Sequence, residues 1–461
     1  MVAPGAAISM TDGWLPDLSK GRAPKYLAIA DALESAIERG TLSSGDRLPP
    51  QRDLAARLGV DLTTVTRAYE AARQRGLIEA HGRAGSFVRG ASPAQIEDAA
   101  RVDTGMNMPP ELPGDMLGRA MRDTIAMLLA EGSGLRMQYQ PTGGSAADRA
   151  AGARLIARLG VDASDDQMVV TAGAQNALHA IVNTVLRPGD AVACGRFVYS
   201  GFKVLAARLG LRLVPLPTID GDVLATACRT ERIRALYVVP TNDNPTAVTL
   251  DATVRRSIAQ AARSNDLMVI EDDVYGALCA VPMTPIAALA PERTWYVASV
   301  SKTISPALRI AYVRAPDVGG ALRLAADVHE TAIMAPPLNA AMVRTWLDDG
   351  RYDRLVEAMR NEAMRRRAIA ADILEGLPYQ AHRQGYHLWL PLPDGLNGAE
   401  LADAMRSSGL SVVAGDRFRV APGADQAVRI SLGGLIETSR LVRALHLIRG
   451  CLDARQQRPL I

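Results

Sequence analysis

Residues 297–313 read VASVSKTISPALRIAYV and place Lys302 among small and apolar neighbours, directly after a run that is typical of a strand. Lys302 is one of four lysines among the 52 basic residues, so the chain uses arginine almost everywhere else. A lysine amine can lose its proton and attack a carbonyl carbon, which an arginine guanidinium cannot do. A solvated surface charge is the alternative for any single lysine. This setting favours a Schiff base with an aldehyde cofactor, held as an internal aldimine.

Two other apolar segments end in polar residues that suit the same chemistry. Asp272 follows an apolar run in VIEDDVYG, where a buried carboxylate can pair with a protonated pyridine nitrogen. Tyr275 and Asn244, the latter in PTNDNPTAV, can hydrogen-bond a phenolic oxygen on the same ring. Asp273 competes with Asp272 for the pyridine, and the three-residue spacing to Tyr275 favours Asp272. The alternative is that these polar residues only shape turns.

A phosphate group needs hydrogen-bond donors, and the segment TAGAQNALHA supplies them. Its small residues predict a turn that opens a helix, so the backbone N–H groups of Ala174 and Gln175 form an anion site. The stretch around Lys302 adds two hydroxyls and a guanidinium, from Ser299, Ser301 and Arg309. Tyr199, in RFVYSGF, can stack on an aromatic ring, although a lone tyrosine more often lies in a core. Together these groups predict pyridoxal 5'-phosphate (PLP) as the cofactor.

From about residue 103 onward, short apolar strands alternate with helices rich in alanine, leucine and arginine. This alternation predicts an α/β domain around a mostly parallel sheet, followed by a smaller α+β subdomain. The motifs resemble those of fold-type I aminotransferases, in particular the aminoadipate-transaminase-like group, over residues 105–455. The resemblance implies a Schiff-base lysine, a pyridine partner, a ring-stacking tyrosine and a phosphate-binding arginine at Lys302, Asp272, Tyr199 and Arg309.

The same resemblance implies two further site residues and contains one departure. Tyr139, in MQYQPTGG, matches a tyrosine that reaches the cofactor phosphate of the partner subunit. Arg429, in VRISLGG, matches the arginine that clamps a substrate α-carboxylate, with a surface strand arginine as the alternative. Ala247 stands where the family's Asn-Pro-Thr-Gly turn has glycine, which leaves Asn244 in place.

The first part of the chain has a different pattern. Residues 20–90 contain three short helical patterns and then two strand-like segments around a turn with glycine, which predicts a winged helix-turn-helix of the α+β class. A resemblance to the GntR family of regulators is carried by residues 40–88, which read GTLSSGDRLPPQRDLAARLGVDLTTVTRAYEAARQRGLIEAHGRAGSFV. The resemblance implies DNA contacts from Arg52 and from Thr63 and Thr64 at the start of the third helix.

Other positions in this head suit contacts with double-stranded DNA. The third helix is expected to enter the major groove, where hydroxyls and guanidinium groups reach phosphates or bases. The positions predicted to be exposed there are Leu62, Thr63, Thr64, Thr66 and Arg67, and His81 and Arg83 lie at the tip of the predicted wing. Some relatives carry arginine where this chain has Leu62, so the resemblance does not specify a base sequence. A helical bundle that mediates only protein contacts is the alternative.

Composition limits the classes of protein to which the chain can belong. The net charge is +3, and residues 20–90 hold twelve basic and eight acidic residues, a mild indication of nucleic-acid binding. No apolar run reaches the ~18 residues of a membrane helix. The first residues lack the pattern of a secretory signal, so we expect a cytoplasmic protein. The four cysteines are far apart and the six histidines lack metal-ligand spacing, which argues against disulfides and a metal site.

These parts predict a multidomain chain with a winged helix-turn-helix at 20–90, a linker at 91–102, a large PLP-binding domain at 103–350 and a small subdomain at 351–455. This is the arrangement of MocR/GabR-type regulators, and that resemblance implies a homodimer that binds operator DNA and senses PLP or an amino compound. We therefore expect a PLP-dependent transcription regulator. The alternative is an active class I/II aminotransferase with an accessory DNA-binding head. The complete head favours the regulator, because a pure enzyme has no use for it.

Overall fold

The computed structural model describes residues 14–16, 24–38, 41–42, 46–80, 85–88, 105–130, 134 and 137–456. They belong to two compact units, Met1–Arg101 and Val102–Ile461, which we call the N-terminal and C-terminal units. The predicted linker at 91–102 and the predicted wing-tip residues His81 and Arg83 lie outside the described residues.

The N-terminal unit contains three helices and a two-stranded antiparallel sheet. Its elements are α1 (Lys25–Glu38), α2 (Gln51–Leu58), α3 (Leu62–Gln74), β1 (Ile78–Ala80) and β2 (Ser86–Val88). Gly59 ends α2 with a φ of 60°, a left-handed conformation that glycine adopts without steric cost. Apolar positions spaced three or four residues apart form one core, which includes Ile29, Leu33, Val65 and Tyr69. The predicted winged helix-turn-helix is confirmed.

The C-terminal unit is built on a seven-stranded mixed sheet. Its strands are β3 (Met168–Thr171), β4 (Ala191–Gly195), β5 (Arg212–Leu216), β6 (Ile233–Val238), β7 (Met268–Asp272), β8 (Thr294–Ser299) and β9 (Ala311–Arg314). They are ordered β3-β9-β8-β7-β6-β4-β5. β9 runs antiparallel to both of its neighbours, and the other neighbouring pairs are parallel. The prediction of a mostly parallel sheet is therefore confirmed.

Helices cover both faces of this sheet, because alternate strand residues point to opposite sides. In β4, Val192 and Cys194 pack into one hydrophobic cluster, and Ala191 and Ala193 pack into another. The covering helices are α4 (Met116–Ala130), α5 (Ala146–Ala157), α6 (Ala174–Val185), α7 (Ser200–Arg208), α8 (Gly221–Glu231), α9 (Ala252–Ser264), α10 (Ile286–Leu289), α11 (Val318–Ala332) and α12 (Pro337–Asp348). Parallel strands buried on both faces are typical of α/β proteins.

A smaller α+β part completes the C-terminal unit. It contains α13 (Arg351–Ile373), β10 (Gln380–Ala381), β11 (His387–Pro391), α14 (Gly398–Ala404), β12 (Ser411–Ala414), β13 (Ala427–Ser431) and α15 (Thr438–Gln456). Its antiparallel sheet has the order β10-β11-β13-β12, and it has its own core. Within the described ranges, no helix combines the length and apolar character that a bilayer crossing requires.

The carboxyl ends of the parallel strands lie along one edge of the large sheet. β7 ends at Asp272 and β8 ends at Ser299, three residues before Lys302. α6 begins at Ala174, shortly after β3 ends at Thr171. Ligands of open α/β sheets bind at this edge, so the fold brings the predicted site residues to the expected place.

Candidate functional site

Lys302 lies in the turn after β8, and its half-buried ammonium group donates a hydrogen bond to the backbone oxygen of Asn107 at 2.6 Å. The pKa of Lys302 is lowered to about 8, chiefly because burial penalises the ammonium form. The cations of Arg429 and Arg309 act in the same direction, and the carboxylate of Asp272 opposes them. Lys302 therefore has a larger fraction of free amine near neutral pH than an ordinary lysine, and this form attacks aldehydes.

Asp272 is buried at the end of β7 and has one oxygen available for a ligand. Its Oδ2 accepts a hydrogen bond from the Tyr237 hydroxyl at 2.9 Å, and its Oδ1 has no partner among the described residues. Burial raises the pKa of Asp272 to about 7, against the opposing hydrogen bond from Tyr237. A cationic ring nitrogen beside Oδ1 would supply the missing partner and stabilise the carboxylate.

The two acidic neighbours of Asp272 also accept hydrogen bonds, and Asp273, like Asp272, keeps an Oδ1 without a partner among the described residues. Asp273 accepts a hydrogen bond from Tyr296 at 2.7 Å, and Glu271 accepts from two backbone N–H groups at the start of α10, at 2.9 and 2.7 Å. Among these three carboxylates, Asp272 is the one whose charge acts on the pKa of Lys302. The geometry therefore favours Asp272 over Asp273 as the partner of a ring held by Lys302.

Asn107 links several groups around this site. Its amide nitrogen donates to the Tyr275 hydroxyl at 2.9 Å and lies 3.0 Å from Nδ1 of His387, and its side-chain oxygen accepts from Ser431 at 2.7 Å. Burial lowers the pKa of His387 to about 3, so its ring is neutral at ordinary pH. Its Nε2 lies 2.9 Å from the backbone oxygen of Asp243. The ring therefore donates through Nε2 and accepts from Asn107 through Nδ1.

Arg429 brings a buried cation into the same region from β13, with 2% of its surface exposed. Its guanidinium donates to the side-chain oxygen of Asn244 at 3.1 Å and to the backbone oxygen of Gly105 at 2.7 Å. It also lies 5.2 Å from the centre of the Phe418 ring. A buried guanidinium with two hydrogen-bonding edges can bind a carboxylate in bidentate fashion. The contact with Arg429 orients the side chain of Asn244.

The start of α6 forms an anion-binding corner with Arg309. Gly173, the residue before α6, has a φ of 88°, and Arg309 donates to the backbone oxygen of Ala172 at 2.9 Å. A Cβ on Gly173 would lie only 2.7 Å from Nη2 of Arg309, so glycine lets the guanidinium lie directly against this corner. The first N–H groups of a helix, here those of Ala174 and Gln175, have no intrahelical acceptor and favour an anion.

The remaining predicted cofactor residues surround this corner in different ways. The Ser299 hydroxyl donates to the backbone oxygen of Ile310 at 3.3 Å and accepts from the N–H of Ser301 at 3.1 Å, so it supports the turn. The Ser301 hydroxyl is buried and has no partner in the described part of the chain. Tyr199 is half-buried just before α7, and burial and the charge of Asp272 both raise its pKa. It therefore lies within the electrostatic field of the same carboxylate.

These groups fit the distinct parts of PLP. The amine of Lys302 suits its aldehyde, the unpartnered oxygen of Asp272 suits its ring nitrogen, and the unpartnered hydroxyl of Ser301 suits its phosphate, beside α6 and Arg309. The side chain of Tyr139 is 81% exposed, so its predicted contact with a partner subunit's phosphate remains a prediction.

The N-terminal unit presents polar side chains on α2 and α3. Arg52 of α2 and Thr63 and Arg67 of α3 are exposed. The prediction that Thr64 and Thr66 are exposed is wrong, because both are half-buried, and the Thr66 hydroxyl donates to Gln51 of α2 at 2.8 Å. This bond fixes α3 against α2, and we assign Thr66 a positioning role.

Sequence reasoning missed Asn107, Tyr237, His387 and Ser431. His387 gave one local signal, as an isolated polar residue inside the apolar strand segment YHLWLPL. Asn107 lies in an irregular stretch, TGMNMPPELP, where no periodicity distinguishes it from a loop residue. Its role follows only from partners that are far away along the chain.

Comparisons with known proteins agree with this geometry. Residues 107–446 match the family described as aminotransferase class I and II, and residues 25–88 match the bacterial regulatory proteins of the gntR family. The chain therefore belongs to the aminotransferase class I and II family. The two matches together confirm the predicted architecture, a GntR-type DNA-binding regulator fused to an aminotransferase-like domain with PLP as its cofactor.

Similar proteins include HTH-type transcriptional regulators and an aminotransferase. The chain is 29% identical to the HTH-type transcriptional regulator YdeF of Bacillus subtilis, over 95% of this chain and 97% of that protein. It is 25% identical to the HTH-type pyridoxine biosynthesis transcriptional regulator PdxR of Corynebacterium glutamicum, over 88% and 91% of the two chains. Its fold resembles that of LysN, the α-aminoadipate aminotransferase of Thermus thermophilus, with a TM-score of 0.69 and 24% identity, over 79% of this chain and 95% of LysN.

Proposed function

We propose that this chain is a homodimeric transcription regulator that binds PLP at Lys302, senses an amino compound beside it, and binds operator DNA through Arg52 and α3. One observation carries the proposal. The amine of Lys302, the carboxylate of Asp272 and the guanidinium of Arg429 converge in a chain that also carries a winged helix-turn-helix. The side chains of Lys302, Asp272 and Arg429 are the groups that PLP and an amino acid need. The winged helix-turn-helix has no use in a plain enzyme.

Bound PLP supplies an aldehyde that reacts with amines and a ring that withdraws electrons. Lys302 provides the amine that holds it, and its lowered pKa keeps part of that amine unprotonated near neutral pH. Asp272 keeps the proton on the ring nitrogen, because the pair of opposite charges is more stable than a buried carboxylate alone. Tyr275, held by Asn107, is placed to donate to the phenolic oxygen of the ring.

The anion-binding corner and Arg429 determine how PLP and an effector lie. Arg309, the hydroxyl of Ser301 and the start of α6 would hold the phosphate of PLP. Arg429, whose charge acts on Lys302, would bind the carboxylate of an amino compound. The proposed effector is therefore an amino acid or a related amine that carries an anionic group.

DNA and a second subunit complete the proposed assembly. Arg52 contacts the phosphate backbone, while Thr63 and Arg67 at the start of α3 face the major groove. Tyr139 reaches the phosphate site of the partner subunit, which its high exposure permits. The relative PdxR is named for pyridoxine biosynthesis, and this supports a response to vitamin B6 compounds as one form of the proposal.

A working aminotransferase is the second candidate, because Lys302, Asp272 and Arg429 are all in place. In that case PLP-loaded protein would convert an amino acid and a 2-oxo acid catalytically, with many turnovers per site. A regulator requires only that the amino compound binds and changes the cofactor's absorption. Measuring product over several hours distinguishes the two candidates, because only an aminotransferase forms many product molecules per site.

The decisive experiment uses the full-length protein and the DNA upstream of its own gene. We expect a footprint whose affinity changes with PLP or with a panel of amino compounds. Lys302→Ala should keep the footprint and lose the response. Lys203→Ala is the matched control, because this lysine also donates to a backbone oxygen at 2.6 Å, that of Arg419. A wild-type protein without a footprint, or without bound PLP after dialysis, would refute the proposal.

A further inference from the structure

A cavity of about 540 Å³ lies within the C-terminal unit, at the carboxyl ends of β4, β5 and β6. β4 and β6 are neighbours, but β4 is followed by β5 on one side and β6 is followed by β7 on the other. The two connections therefore diverge, and open α/β sheets bind ligands at such points. Among the described residues that line this cavity, none belongs to the groups proposed to hold PLP.

The walls of the cavity are mostly apolar. Trp389 of β11 lies beside Phe197, and their ring centres are 4.8 Å apart. Leu250 and several valines add aliphatic surface. Thr218 and Val248 are exposed, so the cavity opens to solvent beside them. A cavity of this size and character suits a small organic molecule.

Asp243 places a carboxylate in this apolar lining. Its Oδ2 accepts hydrogen bonds from the hydroxyl and the backbone N–H of Thr246, at 2.6 and 3.2 Å, and its Oδ1 accepts none from the described residues. Burial raises the pKa of Asp243 to about 6, and both hydrogen bonds from Thr246 oppose this rise. The group is therefore mostly ionised at neutral pH.

This carboxylate lacks a positive partner among the described residues. Arg196 is the other charged residue of the lining, but it is exposed and forms an ion pair with Asp425. Neither a lysine nor an arginine contributes to the pKa of Asp243. An ionised carboxylate within apolar walls is costly unless a cation pairs with it. The cavity therefore complements a ligand that brings a positive charge.

We propose that this cavity is a second ligand site, and that it binds an organic cation with an aromatic or branched apolar body. The ammonium group of the ligand pairs with the carboxylate of Asp243, and its apolar body lies against Trp389 and Phe197. The two aromatic rings favour a cation further, because the face of such a ring attracts positive charge.

The first test titrates the full-length protein with N,N-dimethyl-2-phenylethylamine by calorimetry. This tertiary amine cannot form a Schiff base, because its nitrogen has no hydrogen to lose, so its binding does not report on PLP. We expect saturable binding with a Kd between about 10 μM and 1 mM, as for other ligands of this size. The neutral 3-phenylpropanol and the anionic 3-phenylpropionate have a similar shape, and both should bind at least about tenfold more weakly.

The second test removes the charge from the cavity. Asp243→Asn keeps an acceptor for Thr246, so the Kd for the amine should rise about 10- to 150-fold through the loss of the ion pair alone. Asp251→Asn is the matched control, because Asp251 also accepts from two N–H groups, those of Thr253 and Val254, and is not among the lining residues. It should keep the wild-type Kd within about twofold.

The third test supplies a competing cation. The backbone N–H of Asp243 donates to the oxygen of Val248 at 2.8 Å, so Val248→Arg brings a tethered guanidinium within reach of the carboxylate. This variant should bind the amine at least about tenfold more weakly than wild type. Val204→Arg is the control, because Val204 is an exposed valine of α7 that is not among the lining residues.

The outcomes are distinct from those that test the proposed function. If wild type bound the amine no more tightly than 3-phenylpropanol, or if Asp243→Asn and Val248→Arg bound it like wild type, the second site would be refuted. If Asp243→Asn does not fold, Val248→Arg decides alone. Wild type that binds the amine but no PLP would refute the proposed function and leave the second site in place.

Discussion

The junction between β3 and α6 offers a sharp test of the phosphate site. Replacement of Gly173 by alanine places a Cβ 2.7 Å from Nη2 and 2.8 Å from Cζ of Arg309. Both distances are shorter than a van der Waals contact, so the guanidinium must move away from the start of α6. We therefore expect Gly173→Ala to weaken PLP binding while Lys302 and Asp272 stay unchanged.

The size of the effect follows from the contact that is lost. A charge-assisted hydrogen bond to phosphate contributes about 1.5–3 kcal/mol, which corresponds to an increase in the Kd for PLP of about 10- to 150-fold. The φ of 88° at Gly173 adds a separate folding cost of about 1–3 kcal/mol for a residue with a Cβ. This second cost lowers the melting temperature and leaves the PLP affinity of folded molecules unaffected.

A matched glycine separates the two effects. Gly189 has a φ of 93°, and apart from its two chain neighbours no described residue has a heavy atom within 4 Å of its Cβ position. Both Gly173→Ala and Gly189→Ala should melt earlier than wild type, and only Gly173→Ala should lose affinity in an absorbance titration with PLP. If the two variants bound PLP within twofold of each other, the phosphate would not lie beside Arg309 and our reasoning would be wrong.

Four other substitutions test separate parts of the molecule. Arg52→Ala should weaken binding to all DNA sequences and reduce the slope of log K against log salt by about 0.9, and an unchanged slope in gel retardation would argue against a phosphate contact. Tyr237→Phe removes a hydrogen bond that stabilises the carboxylate of Asp272, so its pKa should rise above about 7 and PLP binding should need a higher pH. If the Kd for PLP had the same pH profile in Tyr237→Phe as in wild type, this expectation would be contradicted. Arg429→Ala should keep PLP and lose the spectral response to amino acids, and a normal response would place the carboxylate clamp elsewhere. Ala247→Gly should raise the free energy of unfolding by about 0.5–1 kcal/mol in urea, because Ala247 has a φ of 57°, whereas a loss of stability would mean that its methyl group packs usefully.

Much of the site could be predicted from sequence because it lies at the ends of strong strand patterns. Asp272 and Ser299 each close an apolar strand, and parallel strands bring their ends together without further information. The spacing to Tyr275 already favours Asp272 over Asp273, and the structure supports that choice because the charge of Asp272 acts on the pKa of Lys302.

The rest could not be predicted because it depends on pairs that are distant in sequence. Asn107 meets Tyr275, His387 and Ser431 at separations of 168, 280 and 324 residues, and no local pattern encodes such contacts. Thr66 shows the same limit on a smaller scale. The periodicity of one helix predicts which residues face outward, but the bond to Gln51 comes from the helix before it.

The contact between Lys302 and the backbone of Asn107 makes the chain a competitor of its own ligand. A competitor that is covalently tethered cannot be diluted away, so the apparent Kd for PLP equals the intrinsic value divided by the fraction of molecules in which the amine is released. The PLP concentration needed for half-occupancy then depends on how readily this amine leaves the backbone oxygen of Asn107. Substitutions that shift the backbone at Asn107 should change that concentration while every group that would touch the cofactor stays the same.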